Sequence, residues 1–302
     1  MNYKITCHLM PWELDRALLT FTQLGKSRLH LSNEDNIFID VTLNLSSHIF
    51  NWEKSLLPKE FFIEKYNSLK PLLKGYTCKF EVYDGDKLYG GLNTQLKSTE
   101  DHIDFYSILN PDLYFSEYLL AYLIHASKQV KDSHFTITPQ IVKQWDSTWD
   151  ILCHPRYVDI PYEDYRKINT FDVIYNQQNS TNEATLTRME GFKWAGWWDL
   201  YSKDTWNDFW IRKEWNGYGP CDYYAMLLSG WANHNLMEVV QYRLDNQVVC
   251  EYERAPLGEE GLVKTYKNFL YINDIPDQKQ QFMSKMKHYL NKGQQELTQL
   301  YT

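Results

Sequence analysis

No stretch of this 302-residue chain approaches the roughly 18 consecutive apolar residues that a membrane-spanning helix requires. Positive charge is in short supply as well. Lys and Arg number 31 against 39 Asp and Glu, a formal charge of −8, so the basic footprint demanded by phosphate-backbone binding is missing and nucleic acid is disfavoured as a partner. The five cysteines, Cys7, Cys78, Cys153, Cys221 and Cys250, are scattered and odd in number, with no CxxC pair. That excludes a zinc knuckle or a disulfide framework and points to a reducing compartment. The opening residues, MNYKITCHLMPWELDR, lack the apolar segment of a secretory leader, so the expected location is the cytoplasm. No glycine-rich, lysine-containing phosphate loop follows the first apolar run, which argues against a nucleotidyltransferase.

Aromatic residues, by contrast, are abundant: 16% of the chain, with 23 Tyr and 11 Trp. Tyr and Trp carry an apolar face and a polar edge, which serves core packing and equally the stacking of sugar or base rings. Composition therefore raises a carbohydrate hypothesis without assigning any residue to it.

The first half of the chain alternates between two periods. YKITCHL, NIFIDVTLNL, TCKFEVYD, IDFYSIL and HFTITP read as strands. Between them, PWELDRALLTFTQL places apolar residues at Leu14, Ala17, Leu18, Phe21 and Leu24, and PKEFFIEKYNSLKPLL and SEYLLAYLIHASKQV also have helical spacing, the last with Ser116 as its expected N-cap. Strands separated by helices predict an α/β fold with a mixed, mostly parallel sheet flanked by helices. Ligands of such sheets gather at the carboxyl ends of the strands, where Asp84, Gly90, Gly91, Asn110 and Asp112 fall. Beyond Trp145 the pattern turns irregular and tryptophan-rich, and a polar helix is expected from about Asp277 to Leu300.

Asn110-Pro111-Asp112 ends an apolar strand just before a helix. Its plain reading is a turn, since proline fixes φ and Asx side chains cap. The functional reading is a carboxylate that faces a phosphate-bearing ligand, because a diphosphate needs its charge neutralised as the bond to it breaks.

The run FEVYDGDKLYGGLNTQLKSTEDHIDFYSILNPDLYFSEYLLAYLI resembles the middle of a GT-A type glycosyltransferase of the large inverting family that includes cellulose and chitin synthases. A second block, WAGWWDLYSKDTWNDF followed by NGYGPCDYYAM, is similar to that family's later signature. The resemblance covers roughly Tyr3 to Met226 and implies a Rossmann-like GT-A domain over residues 1–255, with a helical extension over 256–302. It also implies transfer of a sugar from a nucleotide-sugar donor, such as a UDP-sugar, to a glycan or other hydroxyl acceptor, with inversion and a divalent metal, Mn²⁺ or Mg²⁺. By the same resemblance Gly90, Gly91, Asn93, Asn110 and Asp112 bind the donor, Asp112, Asn110 and His234 hold the metal, and Asp222 is the base; Asp84, in YDGD, has two readings, a donor-binding contact to the base or ribose of the nucleotide and a plain Asx-turn with Gly85. Trp197 and Trp198 offer stacking surface to the acceptor; strand alternation sends them to opposite faces, so at most one lines the site. Two positions depart from the pattern: Asn110 stands where the family has the first acid of its Asp-x-Asp motif, and Cys221 where it has the Glu before the basic Asp. The rival reading they favour is a non-catalytic glycan- or nucleotide-binding protein of the same fold. Donor base, sugar, acceptor and oligomeric state are not encoded in any motif of the chain.

Overall fold

A computed structural model describes residues 1–86, 100–142, 150–159, 184–193, 198–210, 221–251, 266–274 and 278–302; the side chains of Cys221, Asp222, Glu251, Gln278, Lys279, Gln281 and Phe282 lie outside the description. The architecture is α/β. Strand β1 (Asn2–Leu9) pairs in parallel with β2 (Asn36–Asn44) on one side and β4 (Phe105–Leu109) on the other, and β3 (Thr77–Tyr83) extends the sheet beyond β2. Past β4 the direction reverses: β8 (Trp198–Ser202) runs antiparallel to β4 and to β6 (Phe135–Ile141). The long strand β9 (Val240–Glu251) then joins β6 in parallel and takes β5 (Leu113–Phe115) and β7 (Leu186–Arg188) as antiparallel partners. The sheet order is β3-β2-β1-β4-β8-β6-β9-β5. The class expected from the alternating pattern is the one observed, with β8 entering as an antiparallel strand from the irregular half of the chain.

Helix α1 (Leu14–Ser27) shows how the sequence builds this layer. Pro11 begins the turn that leads into it, and its buried stripe is Leu14, Ala17, Thr20, Phe21 and Leu24. Spacing alone places Leu18 on that stripe, but Leu18 is 42% exposed and Thr20 is fully buried. One turn of 3.6 residues after Ala17 falls between 20 and 21, and the Thr20 hydroxyl finds buried carbonyls to bond at Pro111 and Leu113. Gly25 lets the Lys70–Leu73 turn dock on the same helix, since a Cβ there would meet the Leu72 carbonyl oxygen at 2.3 Å. Helices α2 (Lys59–Leu69) and α3 (Leu119–Gln129) join α1 over one face of the sheet, and Ile5, Cys7, Leu9, Ile39, Val41 and Leu43 fill the space between.

The expected passage from strand straight into helix at Asn110 does not occur. Leu113 and Phe115 are fully buried on either side of half-buried Tyr114, an alternation that makes β5 a short strand against the end of β9. The helix then begins only at Leu119, with Tyr118 at its N-cap position. Ser116 sits two residues too early to cap it; its hydroxyl accepts from the Tyr118 amide at 3.1 Å and bonds Gln247 at 2.8 Å.

A second core lies on the opposite face. Helix α4 (Cys221–Asn235) and the C-terminal helix α5 (Gln278–Tyr301) pack there with Tyr106, Tyr201, Trp206 and Phe209. Leu297 is completely buried, and Gly293 permits a close approach, because a Cβ there would meet the Tyr224 hydroxyl at 2.5 Å. At its end, the Tyr301 hydroxyl donates to Asp208 and lies 3.2 Å from His134 Nε2. Among the described residues no helix is long and apolar enough to cross a membrane.

Candidate functional site

The strand order defines a switch point. From β1 the chain moves outward through β2 and β3, then returns to the other flank of β1 as β4. Connections leave in opposite directions there, and the ligand crevice of open α/β sheets lies beyond the carboxyl ends of the strands at such a point, here β1 and β4. Those ends are Leu9–Met10 and Leu109–Asn110.

Asp112 sits at this crevice, and α1 holds it. The buried Thr20 hydroxyl lies 2.7 Å from the Pro111 carbonyl and 3.0 Å from the Leu113 carbonyl, so one proton is shared between the two peptides that bracket Asp112. One turn earlier on α1, Arg16 Nη1 lies 3.8 Å from Asp112 Oδ2, with both side chains largely buried. One turn later, Gln23 Nε2 donates to the Phe115 carbonyl at 2.9 Å. Residues 16, 20 and 23 thus project from one side of a helix onto a single turn. Replacing Thr20 with Val should leave two buried carbonyls without their donor and cost about 1–3 kcal/mol. Thr20→Ser should recover most of that loss in chemical denaturation, whereas equal destabilisation by Val and Ser would show that the methyl group, not the hydroxyl, holds the turn.

The end of β1 adds two titratable groups. Burial, followed by the charges of Glu13 and Asp112, pushes the Cys7 thiol well above its usual range, so it remains a protonated core group. His8 projects to the opposite face; burial alone lowers its imidazole to about 4. The unfolded chain takes up that proton near 6.5 and the folded chain does not, so the stability His8 permits is present above 6.5 and is lost as pH falls from 6.5 towards 4. The span corresponds to about 3 kcal/mol at most. Urea midpoints at pH 7.5, 6 and 5 should decline, and His8→Asn should flatten that decline; an unchanged slope would assign it to other groups.

Asp84 also reaches the crevice edge, at the end of β3. It is exposed, and both of its carboxylate oxygens take Lys59 Nζ, at 2.6 and 2.8 Å. The next residue, Gly85, accepts from the Ser47 amide at 3.1 Å, so this turn is tied to the loop after β2. Asn110 is half-buried at the end of β4. The structure therefore brings Asp84, Asn110 and Asp112 to one edge of the sheet.

It does not bring His234 there. That residue is exposed in the last turn of α4, which delivers the chain to the start of β9, and the start of β9 pairs with the start of β6. His234 thus stands at the opposite edge of the sheet from Asp112. Trp198 is completely buried, opposite Leu109 in β8, with its ring 4.6 Å from that of Phe115 in an edge contact. Alternation sends Trp198 inward, and its face belongs to the core. Asp222 lies in the first turn of α4. Gly90, Gly91, Asn93 and Trp197 lie outside the described residues.

Arg16 and Thr20 were not singled out from the sequence. The available signal was a threonine on an otherwise apolar helical stripe. Asp199 was missed too: its carboxylate is almost fully buried on β8, opposite Ile108, and accepts from the Tyr201 hydroxyl at 3.1 Å. Among the described residues, no cluster of three His, Cys, Asp or Glu side chains is arranged to hold a metal ion.

No family model and no curated protein matches the chain. Among solved structures, it is similar to S. aureus TarS 1-349 in complex with UDP-GlcNAc, at 10% identity and a TM-score of 0.45, over 83% of this chain and 59% of that one. It is similar to GalNAc-T7 with UDP, GalNAc and Mn²⁺ at 10% identity and a TM-score of 0.45, over 83% and 44% of the two chains. The third is glucosyl-3-phosphoglycerate synthase from Mycobacterium tuberculosis, in complex with Mn²⁺, UDP and glucosyl-3-phosphoglycerate, at 8% identity and a TM-score of 0.41, over 97% and 78%. The chain spans about 60% of the length of the TarS structures it matches. At these scores the likeness is one of general chain arrangement, and the α/β class stands on the strand pairing itself. None of the three is a cellulose or chitin synthase.

Proposed function

We propose that the protein is a nucleotide-sugar-dependent glycosyltransferase of the GT-A type whose donor diphosphate lies at the carboxyl ends of β1 and β4. The observation that carries this reading is the held carboxylate: Asp112 stands at the switch point, its flanking carbonyls fixed by Thr20 and its side chain 3.8 Å from Arg16. A turn that only reversed the chain would not need a buried helix hydroxyl to grip both of its peptides.

In this reading the acceptor hydroxyl gives its proton to Asp222 as its oxygen forms a bond to the anomeric carbon of the donor sugar. The bond from that carbon to the diphosphate oxygen breaks, and the diphosphate leaves with the electron pair. Inversion follows if attack and departure are in line. Arg16 places a fixed positive charge beside the turn that faces the leaving group. Asp112 and Asn110 would hold a divalent cation through one carboxylate and one amide oxygen, hard donors that suit Mg²⁺ or Mn²⁺. Such a cation would neutralise the departing diphosphate. In the same reading Asp84, whose carboxylate binds Lys59, accepts a hydrogen bond from the nucleoside.

Thermal unfolding of the full chain with UDP, GDP, CDP and their common sugars, each with Mn²⁺, Mg²⁺ or a chelator, tests the donor class. A nucleotide at a hundred times its dissociation constant adds about 3 kcal/mol of stability. No shift with any of them would remove the nucleotide-sugar reading. Once a donor is found, Asp222→Asn should keep its thermal shift while transfer falls by about 10²–10⁴-fold; unchanged turnover would take Asp222 out of the mechanism. Donor binding by the wild type with no release of nucleotide diphosphate would favour the binding-only reading suggested by Asn110 and Cys221.

A further inference from the structure

A second concave site lies on the helix-covered side of the sheet, toward the opposite edge from the crevice. It is a groove of about 360 Å³ between one face of α3 and the segment that leads from the end of α1 to the start of β2. Tyr118, Tyr122, His125 and Lys128 follow one another along α3 at helical spacing, and His30 and Asp35 face them. Lys128 lies ten positions after Tyr118, the N-cap of the helix, about 15 Å along its axis, so the groove is elongated rather than cup-shaped.

Its chemistry is mixed in a particular way. At one end the rings of Tyr118 and His30 meet, with centroids 4.2 Å apart and planes tilted by 48°, forming an aromatic corner. At the other end the buried Asp35 carboxylate binds Lys128 Nζ through both oxygens, at 2.9 and 3.0 Å, while the Lys128 side chain remains 38% exposed. Glu117 Oε1 lies 3.2 Å from His30 Nε2. The groove's ammonium is thus already neutralised by a carboxylate, and a second carboxylate stands beside its aromatic corner. An anion gains little here and meets Asp35 and Glu117. An apolar ligand would cover Lys128, Asp35 and His125 without bonding them, which is costly.

We propose that this groove binds a neutral oligosaccharide, with the apolar face of one sugar ring on the Tyr118–His30 corner and the hydroxyls of the next rings bonded to the exposed His125 and Lys128, the latter held in place by buried Asp35. Sugars match these demands: each ring has an apolar C–H face for an aromatic plane and hydroxyls that both donate and accept, so a charged pair can bond them without losing its partner. The site lies apart from Asp112 and does not depend on the transferase reading.

Saturation-transfer NMR of the full chain with maltotriose, cellotriose and chitotriose, followed by titration, tests the assignment. At least one trisaccharide should bind. Tyr118→Ala should weaken it by tenfold or more and His125→Ala, at an exposed position, by several-fold, with Asp112→Asn leaving it unchanged. Failure of all three sugars to bind would overturn the proposal, as would binding that survives both α3 substitutions, binding abolished by Asp112→Asn, or displacement of the sugar by millimolar inorganic phosphate. Because the readout needs neither nucleotide nor turnover, its failure and the failure of the transferase reading are separate results.

Discussion

Asp112→Asn should lower glycosyl transfer by about 10²–10³-fold while the protein remains folded, since one preorganised charge at a reacting centre is typically worth that much. The clamp on the turn should survive, because Thr20 bonds the Pro111 and Leu113 carbonyls and not the side chain. Stability should fall by about 1–3 kcal/mol, since the 3.8 Å pair is largely buried and the amide keeps the shape of the carboxylate but not its charge. The decisive measurement pairs turnover with thermal shift. If Asp112 faces the diphosphate, the part of the nucleotide-induced shift that depends on Mg²⁺ or Mn²⁺ disappears. If it serves only as the partner of Arg16, Arg16→Gln and Asp112→Asn will lower the melting temperature equally, the double variant no further, and transfer will persist.

Trp198→Ala should cost about 3–5 kcal/mol of stability, more than the loss of the Thr20 clamp or of the Arg16–Asp112 pair. The indole is fully buried against Phe115, and its loss opens a cavity between β8 and β5, close to the turn that carries Asp112. In a chain of this length that amounts to a fall of roughly 10 °C in the melting temperature. An acceptor-stacking tryptophan would behave in the opposite way: stability would hold and the apparent affinity for acceptor would drop. Guanidinium denaturation of Trp198→Ala and Trp198→Phe separates the two, and near-wild-type stability of the Ala variant would return Trp198 to the site.

How far this site could be read from sequence depended on the range of the interactions. Period-two and period-3.6 patterns are local, so β1, β2, β3, β4 and β6 and helices α1, α2 and α3 could be located from residues that are neighbours in the chain. The turn at Asn110-Pro111-Asp112 was visible for the same reason. Its clamp was not: Thr20 and Pro111 are 91 positions apart, and nothing at either position announces the other. β8 was expected only through the resemblance carried by its block, because its own residues show no period. WDLYS is nearly all buried, so it shows no alternation, and a polar residue such as Asp199 inside it reads as a loop until strands on both sides have supplied its surroundings. Trp198 shows the limit of composition, because aromatic residues are equally at home under a sugar and under a helix.

Helix α1 touches both concave regions of the molecule. Its first two turns carry Arg16 and Thr20 to the Asp112 turn, and its last turn runs directly into Arg28–His30, where His30 forms part of the groove beside α3. The helix is 14 residues long, about 20 Å, and links the two regions as one continuous element. Were a ligand at either end to shift α1, whatever factor it applied to the affinity of the other would be returned in equal measure.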